Sequence, residues 1–76
     1  MFKIATFRRR ELFKPGHVRI IAELVDAGVI VEIAGDGNDP RMQRHVRRLA
    51  RRLHCGYSVP IHSRYPLTLG HAREAI

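Results

Sequence analysis

The chain carries a copy of part of itself, displaced by 28 residues. His17-Val18-Arg19 returns as His45-Val46-Arg47. The same offset pairs Ile21 with Leu49, Ala22 with Ala50, Val25 with Leu53, Gly28 with Gly56, Val31 with Val59 and Ile33 with Ile61. The later copy is the more legible. From Arg41 to Leu53, the residues Met42, Val46, Leu49, Ala50 and Leu53 recur at helical spacing on one face. Tyr57 to His62 then reads as a strand. The earlier copy should take the same helix-then-strand form, which constrains an otherwise ambiguous middle segment.

Phe2 to Phe7 alternates loosely and reads as a first strand, and Arg8 to Gly16 as a basic connection ending in Lys14-Pro15-Gly16. Val18 to Ala27 supports two readings. As a helix, it gathers Val18, Ile21, Ala22 and Val25 into one stripe, opposite Arg19, Glu23 and Asp26. As a strand, it would turn at Asp26-Ala27-Gly28 into a hairpin. The repeat favours the helix, with Gly28 as its stop. Val29 to Ala34 is a near-continuous apolar run, as expected of a strand buried on both faces. Gly35 to Asn38 forms a turn, Asp39 caps the next helix, and Pro40 occupies its first position. Gly56 ends that helix. Pro60 within the last strand argues for a sheet edge. Thr68 to Ile76 reads as a short helical tail. The predicted fold is therefore a small α/β domain, β-α-β-α-β with a C-terminal helical tail. Its three-stranded parallel sheet has the first strand in the centre. The hairpin reading gives an α+β domain, β-β-β-α-β, instead.

Charge is distributed unevenly. Residues 1–39 hold six Lys/Arg and six Asp/Glu, whereas residues 40–73 hold eight Arg and no acid, within a net charge of +7. Such a one-sided field draws polyanions. Only two of the 14 basic residues are Lys, and guanidinium suits bidentate phosphate or carboxylate contacts better than ammonium does. At 76 residues the chain reads as a single domain of marginal size, for which partner burial or a homodimer would help. No apolar run approaches the length of a membrane span, no secretion signal is legible, and Cys55 stands alone. Cytosol is the expected compartment.

Arg41, Arg44, Arg47, Arg48, Arg51 and Arg52 are the main candidate site, a cationic face able to follow a phosphate backbone. Arg8, Arg9, Arg10, Arg64 and Arg73 would extend it. Lys14, Gly16 and His17 form a candidate phosphate site at a helix start. Ile20 and Leu24 align with Arg48 and Arg52 in the other copy and form a candidate partner interface. His54, Cys55 and His62 lack the paired spacing of a closed zinc site. Asp36, Asn38 and Asp39 read as a turn and cap rather than a cation loop. No metal, cofactor or catalytic constellation is expected.

Three resemblances touch these residues. The strand–loop–Gly16-His17–helix layout resembles the N-terminal unit of nucleotidylyltransferases, where a His/Thr-x-Gly-His motif contacts nucleotide phosphates. It also resembles the acceptor domain of two-domain glycosyltransferases. Thr68-Leu69-Gly70-His71 echoes the motif, and Lys14 stands where the former family carries His or Thr. The pattern Val59-Pro60-x-His62 with Gly70-x-x-Arg73-x-x-Ile76 resembles the tail of HicA-type RNA-cleaving toxins. The upstream order of elements differs there, so no catalytic role is assigned to His62.

The leading expectation is a non-enzymatic module that engages nucleic acid or a nucleoprotein through the arginine face. A compact phage-type inhibitor or regulator that binds an acidic surface of a host protein complex is the second. A phosphate-handling enzyme fragment using His17 is the third, and the chain ends without a complete second helix after His71.

Overall fold

The computed structural model describes residues 3–12, 14–59, 63, 64 and 66–70. In chain order the elements are β1 (Ile4–Arg8), α1 (Arg9–Leu12), α2 (Pro15–Asp26), β2 (Ile30–Ala34), α3 (Pro40–Leu53), β3 (Tyr57–Ser58) and β4 (Leu67–Leu69). The duplicated segment adopts helix followed by strand both times, so residues 18–34 do not form a hairpin.

Local chemistry explains the helix ends. Pro15 and Pro40 sit in the first turns of α2 and α3, where a missing N–H costs nothing. Asp39 accepts from Arg41 N through Oδ1 at 2.9 Å, satisfying one orphan donor of α3. At the far end of α2, Gly28 adopts φ 82°. Gly28 N donates to Val25 O at 3.0 Å and Val29 N to Leu24 O at 2.9 Å, the paired bonds of a Schellman stop. Helix α3 ends with the same two bonds, His54 N to Arg51 O and Cys55 N to Ala50 O. Here the left-handed residue is His54 (φ 53°, ψ 44°) and not the expected Gly56. Tyr57 is already extended opposite Leu69, so the chain must turn two residues before Gly56. The basic connection after β1 contains one helical turn, α1, tied by Arg8 N donating to Glu11 Oε2 at 3.2 Å.

The sheet departs from the expected one. It has four strands in the order β1-β2-β4-β3, and β1 lies at an edge. Among the described strands, only β1 and β2 pair in parallel, Ile4 opposite Ile30 through Arg8 opposite Ala34. β4 is antiparallel to both β2 and β3. The tail expected to begin as helix at Thr68 instead enters the sheet, because Leu67-Thr68-Leu69 alternates and both leucines are 0% exposed. The remainder of that tail, residues 71–76, lies outside the described residues. Of the expected strand Tyr57–His62, only Tyr57 and Ser58 pair; residues 60–62 lie outside the described part.

Both helices pack on one face. Ile21 and Val25 of α2 join Met42, Val46, Leu49 and Ala50 of α3 in a single core with Val31, Ile33, Leu67 and Leu69. Fully burying one such side chain contributes about 1.5–3 kcal/mol. A central β1 would have reversed the step between the two crossovers and sent the helices to opposite faces. Because both connections step the same way, no helix among the described residues covers the other sheet face. Ile4 is 63% exposed there, and β2 alternates buried Val31 and Ile33 with half-buried Ile30, Glu32 and Ala34. The expectation of a β2 buried on both faces is therefore corrected.

Between β2 and α3, Gly35 has φ 156°, and a Cβ at this position would overlap Met42 Cε. Gly35→Ala should lower stability, since both the backbone and the buried Met42 would have to shift, by about 1–3 kcal/mol. Conversely, His54→Gly should raise stability by about 1 kcal/mol by relieving a left-handed Cβ. Thermal unfolding should then show a midpoint about 4–8 °C higher.

Candidate functional site

Helix α3 divides into two faces. Its buried side is Met42, Val46, Leu49 and Ala50, and its other side holds all six arginines, each exposed. At 100° per residue they cover an arc of roughly 140°. Arg41, His45, Arg48 and Arg52 form one row along about 16 Å of the axis. Arg47 and Arg51 lie on the far flank, with Arg44 between.

Among the described residues, no ion pair involves any of these six guanidinium groups. The acids are occupied or placed elsewhere. Asp39 caps α3 and pairs with Arg9 at 3.8 Å. Asp36 accepts from Asn38 N at 2.9 Å, Glu11 accepts from Arg8 N, and Glu32 stands on β2 toward the open sheet face. Among the described residues, Arg47 is the one of the six with a side-chain hydrogen bond: its Nε donates to Tyr57 Oη at 3.2 Å. That bond and the phenol's charge push the Arg47 pKa above its ordinary value, so its cation persists at every relevant pH.

The structure sorts the supporting residues. Arg9 reaches the start of α3 through Asp39. Arg64 follows Ser63, whose carbonyl accepts from Asn38 Nδ2 at 3.1 Å, so it lies by the loop that leads into α3. Arg8 closes β1 on the open sheet face, and Arg10 is exposed on α1. Arg73 lies outside the described residues. Ile20 is 44% exposed on α2, as a partner-facing residue would be. Leu24, in contrast, packs against the core and is not available in the same way.

One part of the site was not foreseen. A groove of about 530 Å³ runs between the start of α2 and the arginine face of α3. Leu12, Pro15, Val18 and Leu49 form its apolar lining, and Arg19, Arg48, Arg52 and His45 its polar one. Arg19 thereby joins the cationic surface from the opposite helix. Its signal in the sequence is faint: it aligns with Arg47 in the repeat, but nothing local to α2 reveals that it faces α3. A smaller cleft of about 140 Å³ lies among Arg41, Arg44, His45 and Arg48.

At the helix start, Pro15 and Gly16 lie inside α2, not in a loop before it. Lys14 supplies no side-chain cap. Its carbonyl instead accepts from His17 N at 2.9 Å and Val18 N at 3.4 Å. Those N–H groups are turned into the helix, and Pro15 has none to offer. The His17 ring sits edge-on to Phe7, with centroids 6.4 Å apart, and its Nδ1 is buried without a partner among the described residues. The echo at Thr68-Leu69 lies in β4, where it forms sheet bonds. Cys55 is half-buried, and this burial pushes its thiol pKa up, which suppresses thiolate chemistry. Among the described residues no three His, Cys, Asp or Glu side chains gather as a metal site. No helix among them is long and apolar enough to cross a membrane. No protein-family model, curated protein or solved structure matches the chain.

A Cβ on Gly16 would meet nothing within 4 Å, and its backbone is not left-handed. Gly16→Ala should therefore stabilise the fold by about 0.4–1 kcal/mol in chemical denaturation. A loss of stability would show that Gly16 is needed for backbone geometry.

Proposed function

We propose that this protein is a non-catalytic module that binds nucleic acid through the arginine face of α3, working in a reducing compartment such as the cytosol. The observation that supports this reading most is the set of six exposed guanidinium groups without a carboxylate partner among the described residues. Internal pairing would have made the face a structural device. Left unpaired, its charges repel one another, and a partner that carries repeated negative charge relieves that repulsion. Guanidinium forks match phosphate oxygens, and each phosphate contact releases condensed counterions.

The arrangement favours backbone contact over sequence reading. The row Arg41, Arg48, Arg52 is rigid on a helix whose apolar side is anchored in the core. The guanidinium groups of that row can also fork onto guanine O6 and N7, so it is the density of charge, not a lack of base-reading side chains, that favours backbone contact. Arg9 and Arg64 add charge at the start of α3, so the surface continues beyond the helix. An acidic protein surface is the second reading, favoured by the exposure of Ile20 on α2.

Fluorescence anisotropy with labelled oligonucleotides across a salt series tests the proposal. Affinity should fall steeply and linearly on a log–log scale. Arg44→Gln and Arg51→Gln should each reduce the slope by about 0.9 on duplex DNA or about 0.7 on a single strand. Arg8→Gln, on the open sheet face, should change it less. Absence of binding at about 50 mM salt, or affinity independent of salt, would refute the reading.

A further inference from the structure

We infer that the groove between α2 and α3 seats one unstacked base of a single-stranded nucleic acid, while the arginines around it hold the flanking phosphates. This inference rests on the nucleic-acid reading above and names which form of the polymer is preferred.

Backbone attraction alone requires charge, and the arginine face supplies it without any apolar surface. Yet beside that face the fold leaves a concavity of about 530 Å³, within the range of small-molecule sites, with an aliphatic floor of Leu12, Pro15, Val18 and Leu49. Arg48 and Arg52 rise on one side and Arg19 on the other. An apolar floor beneath guanidinium walls suits a ligand with a flat apolar body between negative groups. An unpaired base within a strand has that form, and guanidinium planes also stack on base faces. A duplex does not, because its base faces are closed within the stack and only edges and phosphates reach a protein surface.

The surroundings identify a polymer rather than a free nucleotide. Arg41 and Arg44 lie beyond the groove along the same helix and are equally exposed. A mononucleotide seated against Arg48 and Arg52 would leave them unused. A strand that enters along Arg41 and Arg44, drops one base onto Val18 and Leu49, and leaves past Arg52 engages the whole row. Charge complementarity thus favours a ligand whose negative charge repeats on both sides of an apolar unit. The aliphatic part of the lining accepts any base face, so discrimination among bases would have to come from Arg19, His45, Arg48 and Arg52 at its rim.

The test uses the full chain with three labelled ligands of equal length: a single strand, its duplex, and a single strand with abasic sites. At one salt concentration the intact single strand should bind about fivefold more tightly than either of the others, the lower end of what a base gains on an aromatic ring, which this floor lacks. Val18→Thr, which keeps shape but places a hydroxyl on the floor, should weaken single-strand binding and so narrow that preference. Arg19→Gln should weaken single-strand binding more than duplex binding. Equal affinity for intact and abasic strands, or for duplex and single strand, would overturn the inference while leaving the proposed function standing. Failure of all three ligands to bind would remove both. Stronger competition from an acidic peptide containing leucine than from an all-acid peptide would assign the groove to a protein partner and overturn the inference. If Val18→Thr fails to fold by circular dichroism, the abasic comparison on the unmodified chain still decides.

Discussion

The pairing of β4 with both of its neighbours holds the rest of the structure in place. Leu67 and Leu69 are fully buried, and the strand that carries them bonds to β2 on one side and β3 on the other. Gly70 N donates to Gly56 O at 2.8 Å and extends that junction. Without this three-residue strand, β3 would have no sheet to join, and the buried side of α3 would lose part of the surface it packs against. The cationic face exists as a rigid array because Met42, Val46 and Leu49 are fixed from below.

The two helices of the repeat have diverged in what they do with their outer sides. Each buries a stripe against the same sheet face, but Ile20 and Leu24 in α2 correspond to Arg48 and Arg52 in α3. In α2, Leu24 is drawn into the core's margin and only Ile20 remains exposed. In α3 the corresponding positions carry charge and form a wall of the groove. Duplication supplied a scaffold with two similar helices side by side, and polarity at two positions made the seam between them asymmetric, apolar below and cationic above.

Much of this was legible from residue patterns. The helix of α3 follows from Asp39, Pro40 and a strong apolar period. The helix of α2 follows from its likeness to α3 and from Gly28. The cationic face needed only the absence of acids between residues 40 and 73. The sheet order was not legible, because Leu67-Thr68-Leu69 is too short for its alternation to separate strand from helix, and its burial depends on two distant partners. The end of α3 was misplaced at Gly56 since local chemistry favours glycine, whereas the demand that Tyr57 pair with Leu69 places the left-handed turn at His54. The groove escaped notice for a similar reason. It joins Leu12, Pro15 and Val18 to Leu49 across a tertiary seam that no single segment records.

Placing the last described strand in the interior of the sheet also sets how far apart in sequence its pairings lie. β1 and β2 pair across 26 residues, Ile4 opposite Ile30, whereas β3 and β4 pair across only 10 to 12, Ser58 opposite Thr68 and Tyr57 opposite Leu69. β3 has only a gap beside it until residues 67–69 arrive to bridge it to β2. The pairing that unites the two halves is β2 with β4, across 34 to 38 residues, and closing so long a loop is the step that slows folding in sheets of non-local strands.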